Sequence, residues 1–432
     1  MIIKPKRMAD IGPEELQSIM ERSSQDVFSV YDHVRSIVED VRRRGDDALL
    51  EANREFKEGV TASELKVTEQ EIELAYRKVD RAVLDSLKVA AKNITRFHQA
   101  QMEREMWLLE VSEGILAGRM IRPMDRVGCY VPGGRAVYPS SVLMTVIPAV
   151  VAGVKEVAIT TPPGKDMVVS PATLVAADVA GCREIYRVGG PWGIAALAFG
   201  TQTVPKGDKI VGPGNKYVTA AKMIVYGKVD IDSPAGPSEA LILADETADP
   251  FLIATDFLSQ IEHDPDSAAV LVTPSGNLAE KVCWEIDRAF DSLPRKDIIQ
   301  ASLAKSHVII APDMDRAVDF SNRYAPEHLQ IMTREPFSVL PKIRHAGSIF
   351  MGAFAPVPVG DYASGTNHVL PTAQAARMFS GLSVDDFIKK PTFQYLTEEG
   401  LRSIKEAVVT LAETEGLPMH ARSILARFKK GQ

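Results

Sequence analysis

Two rhythms of hydrophobic and polar positions succeed one another along the chain. Between Gln25 and Met102 apolar residues recur every three or four positions, as in VYDHVRSIVEDVRRRGDDALLEANREF, and predict helices. Gly45 breaks that pattern, and Asp46 or Asp47 can cap the helix that follows. From Arg126 short β-branched and apolar runs take over. RVGCYV (126–131), VAITTP (157–162), EIYRV (184–188) and DKIVGPGN (208–215) predict strands. Between them 140–153, 173–181 and GIAALAFGT predict buried helices. The series then repeats, with strands at ALILAD (240–245), AAVLVT (268–273), HVIIAP (307–312), HLQIMT (328–333) and GSIFMG (347–352). Its helices run through Leu258 to Glu262 and near 278–290.

Strands alternating with helices at this spacing build parallel sheets. The expected fold class is α/β, with two doubly wound, incomplete Rossmann-like halves facing each other across a cleft. An N-terminal arm, 1–25, carries a helix near Pro13–Ser23, and from Ser383 the chain reads as helical again down to a basic ARFKKGQ tail. The expected domains are the arm, a discontinuous first α/β domain (26–129 and 239–381), a second over 130–238, and a helical extension over 382–432.

Composition changes this picture little. Hydrophobic residues at 45% and charged ones at 25% are ordinary globular values over 432 residues. The net charge of −7 argues against nucleic acid or an anionic membrane as partner. SVLMTVIPAVVAGV (141–154) is interrupted by Thr145 and Pro148, is too short to span a bilayer, and reads as a buried helix. The N-terminus lacks the apolar core of a signal peptide, and Cys129, Cys182 and Cys283 form no CxxC. A cytoplasmic protein without disulfides is the expectation.

Candidate chemistry falls on six stretches. In YAPEHLQI (324–331) Glu327 and His328 are adjacent, so in a regular strand they would point apart. Pro326 can hold them instead at a turn or strand mouth, where His suits a general base and Glu a second acid–base group. A surface Glu beside a capping His is the bland alternative. YVPGGRAVYPSS (130–141) and GPGN (212–215) are glycine turns between strand and helix, positions where backbone N–H groups meet phosphates. Neither matches GxGxxG, since Tyr217 occupies the third glycine position, and each reads equally as a structural turn. In SQIEHDPDS (259–267) Gln260 and His263 share one helix face and could ligate a metal; taken alone, His263 reads first as a helix C-terminal histidine. VGDYASGTNHVLPT (359–372) offers Asp361 and His368, with an Asx turn as the plain alternative. In ETEGLPMHARS (413–423) Gly416 and Pro418 break a helix beside Glu415 and His420. Spacing alone would not assemble Gln260, His263, Asp361 and His420 into one metal site.

Taken in order, YVPGG…YPSS, VGG…IAALAFGT, DKIVGPGN, AGPSEALILAD, LSQIEHDPDS, APEHLQI, GDYASGTNHVLPT, FSGLSVDDFIKK and EGLPMHARS resemble the histidinol dehydrogenase family, from about residue 25 to beyond 420. The resemblance implies oxidation of L-histidinol through L-histidinaldehyde to L-histidine with two NAD+ and one bound Zn2+ per subunit. It implies zinc ligands at Gln260, His263, Asp361 and His420, and an acid–base pair at Glu327 and His328. Substrate contacts fall on Ser238, Gln260, His263, His328, Asp361, Glu415 and His420, and cofactor contacts on Tyr130 and Asn215. It further implies a homodimer in which Glu415 and His420 complete the neighbour's site. Gln, His and Asp are N/O donors that suit Zn2+ as an orienting template.

The chain departs from the family pattern at VGGPW, where Trp192 stands in place of a cofactor-touching glutamine. An indole can stack on NAD+ but offers no amide acceptor. Asp264 stands where glycine is common, and MGAFAPVPVGDY is a looser match. Three rival readings are a zinc and NAD+ alcohol-to-acid dehydrogenase for another small polar alcohol, a thiohemiacetal route through Cys129, and a non-catalytic α/β binding protein. The first is weakened by the presence of Glu415 and His420, the second by a thiol inside a strand, and the third by the complete ligand set.

Overall fold

The computed structural model describes residues 2–22, 27–133, 137–234 and 236–428. The middle of the glycine turn at 134–136, the end of the arm at 23–25 and the last four residues of the basic tail lie outside them. Two units make up the chain: Met1–Gln101 with Met124–Phe387, and Met102–Pro123 with Ile388–Gln432.

The first unit is built on two parallel sheets. In the five-stranded sheet the order is Glu184–Arg187, Glu156–Thr161, Arg126–Tyr130, Lys209–Val211, Asp230–Ile231. By chain position that is third, second, first, fourth, fifth, a doubly wound order. The core strands of the six-stranded sheet repeat it: His307–Ile310, Ala268–Thr273, Glu239–Ala244, His328–Met332, Ser348–Met351, with Pro5–Arg7 added in parallel beside the third. Both sheets are covered on both faces, which is why their strands read as continuous apolar runs. In the six-stranded sheet the alternation stays visible in the cores. Ile242, Leu271 and Met332 pack on the helices Pro250–Ile261 and Gly276–Phe290. Leu241, Val270, Leu329 and Ile331 pack on the other side with Val318 and Phe320 of Met314–Tyr324.

The helices from Tyr31 to Ala52 join the other sheet. Val34, Val38, Val41 and Leu49 share one core with Ala195 and Leu197 of Gly190–Phe199. The sequence expectation groups 26–129 with 239–381, yet this packing sets those helices on the five-stranded sheet. The strand Arg126–Tyr130, cut by the expected limit at 129/130, lies whole in that sheet.

The helix Pro139–Val151 shows how the interrupted apolar run folds. Thr145 Oγ1 donates to the Ser141 carbonyl at 2.7 Å, so its hydroxyl is satisfied inside the helix. Pro148 has no N–H to give to the Met144 carbonyl. Asn367 Nδ2 donates to it instead, at 2.7 Å, and so docks the GTNHV loop on this helix.

The second unit corrects one expectation. The segment after Ser383 is not helical throughout: Thr392–Leu396, rich in β-branched and aromatic residues, forms a strand antiparallel to Ile115–Met120. Met106–Ser112 completes this three-stranded sheet. The helices Glu398–Thr414 and Pro418–Ala426 follow, separated at Gly416, whose φ of 73° suits glycine. Among the described residues no helix is long and apolar enough to cross a membrane.

Candidate active site

The amino edge of the six-stranded sheet collects the polar residues that its interior excludes. Ser238 precedes and Glu239 opens the strand Glu239–Ala244; His328 opens its neighbour, with Ala240 opposite it. Ala325 ends the helix Met314–Tyr324 in the left-handed region (φ 50°, ψ 64°), and Pro326 then turns the chain so that Glu327 sits at the strand mouth rather than in the pleat. Gly347 lies against this turn, where an added Cβ would stand 2.6 Å from the Glu327 carbonyl oxygen. Neighbours in sequence can therefore work on one site.

Each polar atom here has an assignable role. Glu327 Oε2 accepts from Ser238 Oγ at 2.7 Å and from the Glu239 N–H at 2.9 Å. Gln260, in the last turn of Pro250–Ile261, donates through Nε2 to Ser238 Oγ at 2.9 Å. This makes a relay from Gln260 through Ser238 to Glu327. His328 Nδ1 donates to the Glu239 carbonyl at 3.1 Å, which fixes the tautomer and leaves Nε2 bare. Among the described residues that buried Nε2 has no hydrogen-bond partner; Asp361 Oδ1 stands 3.7 Å away, an ion-pair distance but too long for a hydrogen bond. Asp361 comes from the short helix Val357–Tyr362. His368 Nδ1 donates to the Asp361 carbonyl at 2.8 Å, and its Nε2 accepts from Ser141 Oγ at 3.2 Å.

Burial and charge compete at His328. Burial disfavours the imidazolium, but the Glu327 carboxylate, only 3.4 Å from Nδ1, and Asp361 outweigh it and raise the pKa well above the usual histidine value. Burial raises the Asp361 carboxyl, yet His328 more than offsets it and holds Asp361 below its ordinary range. His368 is pushed down, chiefly by burial, and stays neutral. The Cys129 thiol is fully buried and pushed far up by that burial, so it supplies no thiolate nucleophile.

Ser238, Gln260, Glu327, His328 and Asp361 are thus brought together. His263 lies just past the end of its helix, exposed, on the wall of a cleft of about 1230 Å3 shared with Tyr138, Glu262, Asp264 and Tyr362. Among the described residues no three His, Cys, Asp or Glu side chains are gathered as a ready metal cluster. Glu415 and His420 belong to the second unit, exposed on either side of the Gly416–Leu417–Pro418 break.

Two of the three residues expected on the cofactor also meet, at the carboxyl edge of the five-stranded sheet, and the third bonds to Gly190 beside them. Trp192 and Asn215 line a pocket of about 390 Å3 with Pro162, Gly189 and Tyr217. Tyr130 accepts the Gly190 N–H on its hydroxyl at 3.1 Å, at the start of the helix Gly190–Phe199. Asn215 caps Lys216–Val225, accepting from Tyr217 N at 3.0 Å and Val218 N at 3.3 Å. Gly212, at φ 127°, leaves no room for a Cβ against the Tyr130 backbone.

The sequence model of the family described as "Histidinol dehydrogenase" matches residues 20–428. The chain belongs to the histidinol dehydrogenase family. It is 52% identical to the histidinol dehydrogenase of Methanothermobacter thermautotrophicus over 98% of this chain and 99% of that one. To that of Methanocaldococcus jannaschii it is 50% identical, over 99% of both. The crystal structure of histidinol dehydrogenase from Elizabethkingia anophelis superposes with a TM-score of 0.94 at 38% identity, covering 99% of this chain and 98% of that one. Membership makes the chain an enzyme, an oxidoreductase.

Two residues that hold the Glu327–His328 turn in place went unread in the sequence. Glu239 carried a signal, a carboxylate opening the apolar run EALILA, since a buried charge must have a partner. Its partner, Arg22, lies 217 positions away and carried none.

Proposed function

We propose that the chain is a cytoplasmic, zinc- and NAD+-dependent histidinol dehydrogenase that converts L-histidinol through L-histidinaldehyde to L-histidine. The observation that carries this reading is the Gln260–Ser238–Glu327 relay lying beside a His328 whose Nε2 is buried, bare and tautomerically fixed. When bound, zinc would hold the imidazole and amine of the substrate, and NAD+ would accept hydride from the alcohol and again from the hydrated aldehyde.

The donor set fits such a metal. Gln260 commits Nε2 to Ser238 and keeps Oε1 for a cation, Asp361 is held ionised, and His263 offers its ring in the cleft. His420 would be the fourth ligand. Gln260 and His263 also sit at a helix C-terminus, the negative end of its dipole.

His328 Nε2 is the atom placed to take the hydroxyl proton. A cation on Asp361 would remove one of the two charges that raise the His328 pKa, returning the ring toward the range where it works as a base. Among the described residues Glu327 Oε1 has no hydrogen-bond partner while Oε2 is anchored, so Oε1 is suited to take a proton from the water that adds to the aldehyde. Two acid–base duties at one carbon account for two groups side by side.

A homodimer is part of the proposal. On Met106–Ser112, at the edge of the second unit's sheet, Met106, Trp107, Leu108, Leu109 and Val111 are all exposed, as are Leu411 and Met419 on its helices and Leu417 between them. A contiguous apolar edge of this kind marks a contact surface. Glu415 and His420 would then complete a partner's site.

The test is NADH formed per L-histidinol consumed by zinc-loaded protein at limiting substrate. Two equivalents, with histidine as sole product, would support the reading. One equivalent with free aldehyde would remove the second step, and none would transfer the chain to another small polar alcohol.

A further inference from the structure

A charged pair lies buried beneath the Glu327–His328 step, outside the residues that would touch substrate. The side chains of Arg22 and Glu239 are each 1% exposed. The guanidinium meets both carboxylate oxygens, through Nε and Nη2. It also lies over the Tyr324 ring, 3.6 Å from the centroid, and Nη1 donates to the carbonyls of Tyr324 at 2.9 Å and Met20 at 3.1 Å. Arg22 therefore grips the backbone that leads into Pro326 and Glu327.

Glu239 touches the step at three atoms. Its Oε1 accepts the Glu327 N–H at 3.2 Å, its own N–H reaches Glu327 Oε2, and its carbonyl holds His328 Nδ1. Moving Glu239 moves both acid–base groups at once.

Stability alone accounts poorly for the pair. A buried ion pair is often no more stabilising than apolar residues of the same volume, because both charges must leave water. Strain points the same way. Arg22 (φ 28°) and Ala325 (φ 50°) are non-glycine residues at positive φ, conformations that persist where the surroundings over-determine them. Arg22 also reaches the Ala325 carbonyl, at 3.4 Å.

We infer that Arg22 and Glu239 form a positioning pair that sets the Glu327 carboxylate and the His328 ring for proton transfer. The N-terminal arm thereby becomes part of the catalytic apparatus without contacting substrate. The inference rests on Glu327 and His328 being the acid–base pair, so its test includes a reading that needs no turnover.

Arg22→Lys keeps the charge but loses the fork and the stacking on Tyr324. It should lower kcat for both hydride steps by about tenfold or more, with KM for histidinol and zinc content little changed, because small misplacements of catalytic groups are that costly. Val282→Ala, a cavity in the distant core behind the six-stranded sheet, provides a variant of lowered melting temperature whose kcat should stay at wild type. Hydrogen exchange gives the second reading: protection of the Glu327 amide should fall in Arg22→Lys, while that of Val270 in the central sheet holds. The double variant Arg22→Met with Glu239→Leu removes both charges and should fold yet remain slow.

Wild-type kcat in folded Arg22→Lys or in the double variant would overturn the inference, as would an equal loss of kcat in Val282→Ala. Should the wild type yield no NADH from histidinol, the exchange data still decide. Local loss at Glu327 would support the pair's role in holding the step, and unchanged protection would overturn it.

Discussion

The two sheets of the first unit share one strand order but offer opposite edges for chemistry. The five-stranded sheet presents its carboxyl edge, where the chain enters the helices Gly190–Phe199 and Lys216–Val225 through glycine turns. Helix N-termini there turn their positive dipole ends to the edge, with the Gly190 N–H held by Tyr130 and the Tyr217 and Val218 N–H groups by Asn215. The six-stranded sheet presents its amino edge, to which Pro250–Ile261 returns with its C-terminus. The negative end of that helix dipole favours a cation there. A polar site at that edge has to be made from side chains, and Arg22, Ser238, Glu239, Gln260 and Glu327 make it. One backbone plan thus yields one edge lined by helix N-termini and another built from side chains, and the proposal assigns NAD+ to the first and zinc with proton transfer to the second.

The comparison is broken most sharply at Glu327. Glu327→Gln keeps the anchored geometry but removes the base, and should slow histidinal oxidation by about 10²–10⁴-fold while slowing alcohol oxidation much less. Equal rates of histidinal turnover in mutant and wild type would end the water-activating role. Next comes the metal: Asp361→Ala should weaken zinc binding by at least about 10–100-fold, read as metal retained after dialysis by emission spectroscopy. At the other edge, Trp192→Ala should raise KM for NAD+ by several-fold and leave zinc content untouched, since a stacked base is worth about 1–3 kcal/mol. An unchanged KM would remove the indole from the cofactor pocket.

Acid should have the smallest effect. His98 is buried, with Nδ1 donating to the Ile94 carbonyl at 2.8 Å and Nε2 facing the Asn367 amide at 3.4 Å, so a proton on Nε2 would meet another donor. Burial, acting against the backbone hydrogen bonds, lowers its pKa. The unfolded chain then binds the proton more readily. This contribution to stability is complete above the unfolded pKa of about 6.5 and is lost as pH falls below it. His98→Gln should flatten the difference between urea midpoints at pH 5 and pH 7.5.

Strand and helix periodicity was legible because both sheets are buried on two faces, so their strands stand out as uninterrupted apolar runs. Antiparallel pairing of Met106–Ser112, Ile115–Met120 and Thr392–Leu396 was not, because the exposed edge strand MWLLEVS lacks the alternation that marks a half-buried strand. At the site, Gln260, His263, Glu327, His328 and Asp361 drew attention by type and local setting, and resemblance assigned their roles. Which oxygen of Glu327 is anchored, which nitrogen of His328 is bare, and what holds both depend on Arg22 and Glu239. That closure spans most of the chain, and local pattern carries no record of it.

The carbonyl of Met144, left without a donor by Pro148 and filled by Asn367, bears on the order in which the protein becomes competent. The helix can form early from its own residues, but its Met144 carbonyl waits for a side chain 223 positions downstream, and contacts of such separation close late. In refolding, far-UV ellipticity should therefore recover before NADH production, with the interval set by the arrival of that loop.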